Sequence, residues 1–190
     1  MGEWVLEKAK KEIGRFYPKD VIEREGLFGK SREEIVPVGY IWARTIPCQN
    51  PACNAEIPLM RQFWLAKKSN KKVALYPYVD GKEVRFKIVG DGYEKMPSDF
   101  DPSKGTVKGA IATCLVCGST VDANTTRRLF QQGKAGQRMV AVVLSRGRGE
   151  CKIYRIATER DLEAYREAEK YLEEKKGEVD GGVGNRSCAG

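Results

Sequence analysis

Residues 46–59 read IPCQNPACNAEIPL and residues 112–121 read ATCLVCGSTV. The first stretch sets two cysteines five positions apart and the second sets two three positions apart, each pair on a turn that can aim its sulfurs at one point. Pro47 and Pro51 stiffen the first turn, and Gly118 after Cys117 permits the backbone bend that the second requires. A structural zinc ion takes four ligands in a tetrahedron, and a chain without histidine can supply them only as four thiolates or with a carboxylate substitute. Cys48, Cys53, Cys114 and Cys117 are the expected ligands of one structural zinc ion. Iron accepts the same four thiolates, and a redox pair or four unrelated buried thiols are the other readings. Four sulfurs leave no open position for water, which argues against catalytic zinc.

Outward from these turns, 190 residues suffice for one ordinary domain with its own core. The hydrophobic share of 41% and charged share of 32% are those of a globular protein. No apolar run approaches the roughly 20 residues that span a bilayer, and MGEWVLEKAKKEIG interleaves charges where a signal peptide is continuously apolar. The expected location is therefore cytoplasmic, with no membrane partner. Thiols stay reduced there, and paired cysteines more often bind metal than form staples. Cys151 reads as a small buried apolar residue and Cys188 as a free thiol on a tail.

The net charge of +8 is unevenly spread. Residues 60–90 hold eight Lys/Arg against two Asp/Glu, and residues 127–152 hold seven against one, so these segments carry +12 and the rest −4. Such clustering suits a polyanionic partner, although solvated lysine is the plain alternative.

Along the chain, residues 3–14 can form an amphipathic helix with Val5, Ala9 and Ile13 on one side, ended near Pro18. Residues 25–37 read as a loop, and 38–45 as a strand leading into the first cysteine pair. In 71–90, KKVALYPYVDGKEVRFKIVG, a turn at Asp80-Gly81 predicts a hairpin. Its core face holds Val73, Leu75, Pro77, Val84, Phe86 and Ile88; Tyr76, Tyr78, Arg85 and Lys87 fall on the other. Pro77 cannot donate to a ladder and predicts an edge strand. A long loop over 93–109, strands over 138–145 and 152–157, and a helix from 158 to 176 follow. Thr158 and Asp161 resemble a capping box for that helix, Leu162, Tyr165, Ala168 and Leu172 form its stripe, and Gly177 is a stop signal. The expected organisation is a single zinc-ribbon-containing domain over 1–177, with its ribbon core at 38–121, and a disordered tail at 178–190. Its fold class is α+β, an antiparallel zinc-ribbon core with an inserted hairpin and flanking N- and C-terminal helices.

Catalysis by the chain alone is not expected. There is no histidine, no phosphate-binding or dinucleotide-binding glycine motif and no nucleophile elbow, and Asp99 with Asp101 reads as loop solvation. No catalytic or cofactor-binding residue is assigned.

Four blocks together carry a family resemblance: VGYIWARTIPCQNPACNAEIPLMRQFWLAKKSNKKVALYP, GTVKGAIATCLVCGSTV, RRLFQQGKAGQRMVAVV and YRIATERDLEAYREAE. Over roughly residues 35–173 the chain resembles the zinc-ribbon region of adenine-specific DNA methylases that contain such a ribbon. The resemblance implies that Cys48, Cys53, Cys114 and Cys117 hold zinc and that the partner is DNA. The complete enzyme would transfer a methyl group from S-adenosylmethionine to adenine. This chain has no Asp-Pro-Pro-Tyr tetrapeptide, so the cofactor is expected only in a complete methylase, and a catalytic methylase subunit or domain is a further partner the resemblance implies. The residues expected to meet nucleic acid are Lys67, Lys68, Lys71, Lys72, Arg85, Lys87, Arg127, Arg128, Lys134 and Arg138 at phosphates, with Tyr76, Tyr78 or Trp64 stacking on a base. Trp64 otherwise reads as a buried residue beside the metal turn. Two further readings are an interaction scaffold docking on a catalytic chain and an RNA-binding ribbon.

Overall fold

The structure, a computed structural model, describes residues 2–26, 29–145 and 152–181. In chain order the elements are α1 (Gly2–Ile13), a 3-10 turn (Gly14–Phe16), β1 (Asp20–Gly26), β2 (Gly29–Pro47), β3 (Glu56–Leu59), β4 (Trp64–Lys68), β5 (Lys71–Asp80) and β6 (Glu83–Gly90). They continue with β7 (Val107–Lys108), β8 (Ile111–Thr113), β9 (Thr120–Val121), α2 (Ala123–Gln131), β10 (Gly136–Ser145), β11 (Ile153–Ile156) and α3 (Glu159–Gly181). This is a mixed α+β chain with mostly antiparallel strands, a helix towards each end and one within. It divides into two compact units: one holds the residues up to Pro37 and those from Ala157 on, and the other is Val38–Ile156.

In the larger unit, β5 and β6 form the hairpin, but its two turn residues are Gly81 and Lys82, since Asp80 pairs with Glu83. Gly81 adopts φ +61°, the left-handed conformation needed at the first position of such a turn. The register moves by two, so every side chain keeps its expected face. Val73, Leu75, Val84, Phe86 and Ile88 are buried with Phe63, Ala43, Val140, Ala141 and Tyr154 in the main core. Ala74 and Val89 on the opposite face are equally buried, so that face is exposed at Lys72 and towards the turn and closed between them.

The edge position expected for β5 needs correction, because β5 is the middle strand of a sheet ordered β4-β5-β6. Pro77 is accommodated because β4 stops short of it: pairing ends at Trp64 opposite Ala74. The Leu75 N–H still reaches Phe63 O at 2.8 Å, and Pro77, two residues on, has its missing N–H where no partner strand runs.

The remainder of β2 pairs antiparallel with β3, from Arg44 opposite Leu59 to Pro47 opposite Glu56, and neighbours β10, which pairs with β11. The expected loop over 93–109 is irregular as far as Thr106, where it is tied down by side-chain and backbone bonds. The buried Thr106 hydroxyl donates to Pro58 O and accepts from Met60 N at 2.9 Å, and Val107 N donates to Met60 O at 3.1 Å. A Cβ on Gly105 would stand 2.0 Å from Met60 O, so this approach requires glycine.

In the smaller unit, residues 25–37 correct the expected loop. β1 and the start of β2 form an antiparallel ladder from Asp20 opposite Ile35 to Gly26 opposite Gly29. Residues 27–28 lie outside the described chain. α1 buries none of its residues: Val5 is 53% and Ile13 41% exposed. Thr158 and Asp161 form one half of the expected box, the Asp161 carboxylate accepting from Thr158 N and Oγ1, each at 2.8 Å, while Asp161 N donates to the Thr158 backbone oxygen. The 3-10 turn meets α3 through Phe16 and Tyr171, whose ring centroids are 5.4 Å apart, with the Arg15 guanidinium against both rings. Tyr171 Oη donates to Glu12 Oε1 at 2.6 Å. α3 runs through Gly177, since one exposed glycine costs a helix only about 1 kcal/mol. The tail beyond 181, with Cys188, lies outside the described residues, as does Cys151. Among the described residues no helix is long and apolar enough to cross a membrane.

Candidate metal centre

Two strand-to-strand turns carry the four cysteines. In the first, between β2 and β3, Cys48 N donates to Ala55 O at 2.8 Å and Cys53 N to Asn50 O at 3.0 Å. Asn50 Oδ1 accepts from Ala52 N at 3.1 Å, and Asn54 takes a left-handed φ of +50° that asparagine tolerates better than most residues. In the second, between β8 and β9, Cys114 N donates to Ser119 O and Gly118 N to Cys114 O, both at 2.9 Å, with Gly118 at φ +74°. Each turn thus spends its backbone donors inward and leaves two sulfurs pointing at a shared centre.

The four Sγ atoms lie within 4.8 Å of one another. Cys48 and Cys117 are 3.6 Å apart and Cys53 and Cys114 3.9 Å, too far for a disulfide bond of about 2.05 Å. A tetrahedron with Zn–S bonds of about 2.3 Å has S···S edges of about 3.8 Å, so the cluster fits one zinc-sized ion and its donor set is a thiophilic metal's. Cys48, Cys53 and Cys114 are buried in one cluster with Ile46, Ala55, Ile57, Ala112, Val121 and Leu129, whereas Cys117 is exposed. Burial pushes the Cys48 thiol up to about 12. Cys117 is drawn down to about 6 by the Ser119 hydroxyl, 3.3 Å from its sulfur, and by the Ser119 backbone.

Ser119 and α2 are the parts of this site that the sequence reading missed. Asp122 caps α2, accepting from Asn124 N at 2.8 Å and Thr125 N at 3.0 Å. Gly133 at φ +66° closes it, with Gly133 N bonded to Phe130 O and Lys134 N to Leu129 O. Asp122 and Gly133 were the available signals. Leu129 from α2 is 4% exposed in the cysteine cluster, so the helix is seated on the cysteine turns.

The residues expected at nucleic acid fall into three groups and one separate arginine on β10. Lys67, Lys68, Lys71 and Lys72 surround the β4–β5 turn, where Lys68 stands opposite Lys71 and Lys67 opposite Lys72. Lys67 lies 5.6 Å from the centre of the Trp64 ring, and Lys71 Nζ donates to Lys152 O. Trp64 is half-buried and its Nε1 donates to Ser103 Oγ at 3.0 Å. On the β5–β6 hairpin, Arg85 pairs with Asp80 and Glu83, Lys87 pairs with Glu94 at 2.6 Å, and Tyr76 meets Phe100 edge-on at 5.0 Å; Tyr78 is exposed across from Arg85. Arg138 is bound inward, donating to Val84 O at 2.8 Å and pairing with Glu56. Arg127 and Arg128 project from α2, with Lys134 just beyond its end, and all three are exposed.

No family model, curated protein or solved structure matches this chain.

Proposed function

We propose that this chain is a zinc-ribbon module that engages DNA, with one zinc ion held by Cys48, Cys53, Cys114 and Cys117 as a structural cross-link. The observation that carries the zinc reading is the cluster of four sulfurs within 4.8 Å, three of them buried among apolar side chains. The ion holds the two cysteine turns together, and the β4–β6 sheet is the insertion between them. No ligand position is left for a reacting water, so the ion's role is structural.

The DNA reading is supported by the four lysines of the β4–β5 turn. Like charges directly opposite on a ladder are unfavourable, and none of these lysines pairs with a carboxylate among the described residues. A phosphate backbone would relieve that repulsion. By its sequence resemblance, the module would serve an adenine-specific DNA methylase whose catalytic segment and S-adenosylmethionine site lie outside these residues.

The test is titration of labelled duplex DNA with the zinc-loaded chain at low and moderate salt. Binding should weaken steeply with salt, by about 0.9 in log–log slope for each phosphate neutralised. Lys68→Glu with Lys72→Glu should reduce that slope by about 2 and affinity by tenfold or more, while zinc content stays unchanged. Absence of binding at low salt would leave a zinc-stabilised interaction scaffold, and preference for single-stranded RNA would leave an RNA-binding ribbon.

A further inference from the structure

The helix seated on the cysteine turns has a composition that phosphate binding does not require. Asn124, Arg127, Arg128 and Gln131 occupy positions i, i+3, i+4 and i+7 of α2 and are all exposed, so they share one outward face. That face has no carboxylate. Asp122 is occupied in capping, accepting from Asn124 N, Thr125 N and Thr125 Oγ1. The opposite side is anchored by Leu129 in the cysteine cluster. Arg128 and Gln131 make no side-chain hydrogen bond among the described residues, and Arg127 reaches Asn124 Oδ1 only at 3.5 Å.

We infer that α2 is the base-reading element of this module, entering the major groove of duplex DNA with Asn124, Arg127, Arg128 and Gln131 towards base edges. The inference rests on the DNA-engaging reading above and assigns the specificity that the lysines cannot supply. Asparagine and glutamine match the paired donor and acceptor of adenine, and arginine the two acceptors of guanine. An α-helix with its side chains is about 10–12 Å across, which a major groove about 12 Å wide admits. An ordinary solvated helix face mixes both charge signs; this one carries two arginines and two amides. Lys134, after the closing Gly133, and Arg44, whose guanidinium lies 6.0 Å from the Phe130 ring, are placed to meet flanking phosphates. The metal would then matter for specificity, because it holds the turns on which α2 rests.

The experiment is selection from a pool of random DNA duplexes with the zinc-loaded full chain at moderate salt, followed by sequencing and titration of the enriched site. A short enriched motif is expected. Asn124→Ala and Gln131→Ala, made separately, should each abolish preference at one base pair, about tenfold per pair, while the Lys68→Glu, Lys72→Glu variant weakens binding to all duplexes alike. Both amides are exposed, and retained zinc content and melting temperature confirm folding of the variants. DNA binding without enrichment, or enrichment untouched by both alanine variants, overturns the assignment of α2 and leaves the phosphate reading standing. No DNA binding at all overturns both. Duplex RNA competing as well as duplex DNA also overturns it, because the A-form major groove is too narrow for a helix.

Discussion

Cys48 shares a buried cluster with Ile46, Ala55 and Ile57, and at neutral pH the metal-free thiol there keeps its proton. Cys53 is raised above its usual value as well: a backbone bond at Ala55 works to lower it, but burial and the neighbouring Cys117 and Cys114 prevail. Zinc binds thiolates, so loading at pH 7.5 should release at least two protons per ion, read with a pH indicator in weak buffer. Cys117 behaves oppositely. Its thiolate is present above about pH 6 and is lost as pH falls through that value. Ser119→Ala removes the hydroxyl that lowers it, so the acid midpoint of zinc release should move upward, as a chromogenic chelator would record. Cys114→Ser leaves three ligands; zinc per chain should fall far below one, and stability should drop by about 4 kcal/mol or more.

At the scale of elements, the connection from β6 to β7 is held by one buried hydroxyl and one glycine. Gly105→Ala would drive a methyl into Met60 O and Arg61 C at 2.0 and 2.5 Å, both backbone atoms that cannot swing aside. It should destabilise the chain by roughly 2 kcal/mol or more, measured by urea unfolding. Asp161→Ala removes both bonds to Thr158 from a carboxylate only 1% exposed, and should cost about 1–2 kcal/mol and fray the first turn of α3. Circular dichroism melting would register that loss. The hairpin and this cap were legible because each is local: a glycine-bearing turn between alternating strands, and a threonine three residues before an aspartate. α2 was missed although Asp122 and Gly133 mark both its ends, because nine residues with a single buried leucine present almost no apolar period.

At the scale of the chain, the Val38–Ile156 unit has two cores, of which only one contains the cysteine cluster. The first, around Phe63, Leu75 and Phe86, contains no cysteine; the second is built round Cys48, Cys53 and Cys114. Chelation should therefore strip hydrogen-exchange protection first from residues 48–57 and 112–133, while amides of β5, β6 and β10 stay protected longer, which mass spectrometry can resolve. Equal loss across the unit would mean that the two cores unfold together.

The two cysteine turns, the hairpin faces and the start of α3 were determined by the sequence itself, since turn chemistry and period-two alternation act between residues close along the chain. Four cysteines in a chain without histidine also limit strongly which metals it can hold. The tertiary structure decided what depends on distant partners. β1 and the start of β2 pair through backbone groups that any residue offers, so the charged run SREEIVP concealed a strand. Pro77 fits a middle strand because β4 ends before it, and Arg85, Lys87 and Arg138 are drawn to Asp80, Glu94 and Glu56. A cation's availability to a partner depends on which carboxylates the fold brings beside it, and linear order does not contain that information.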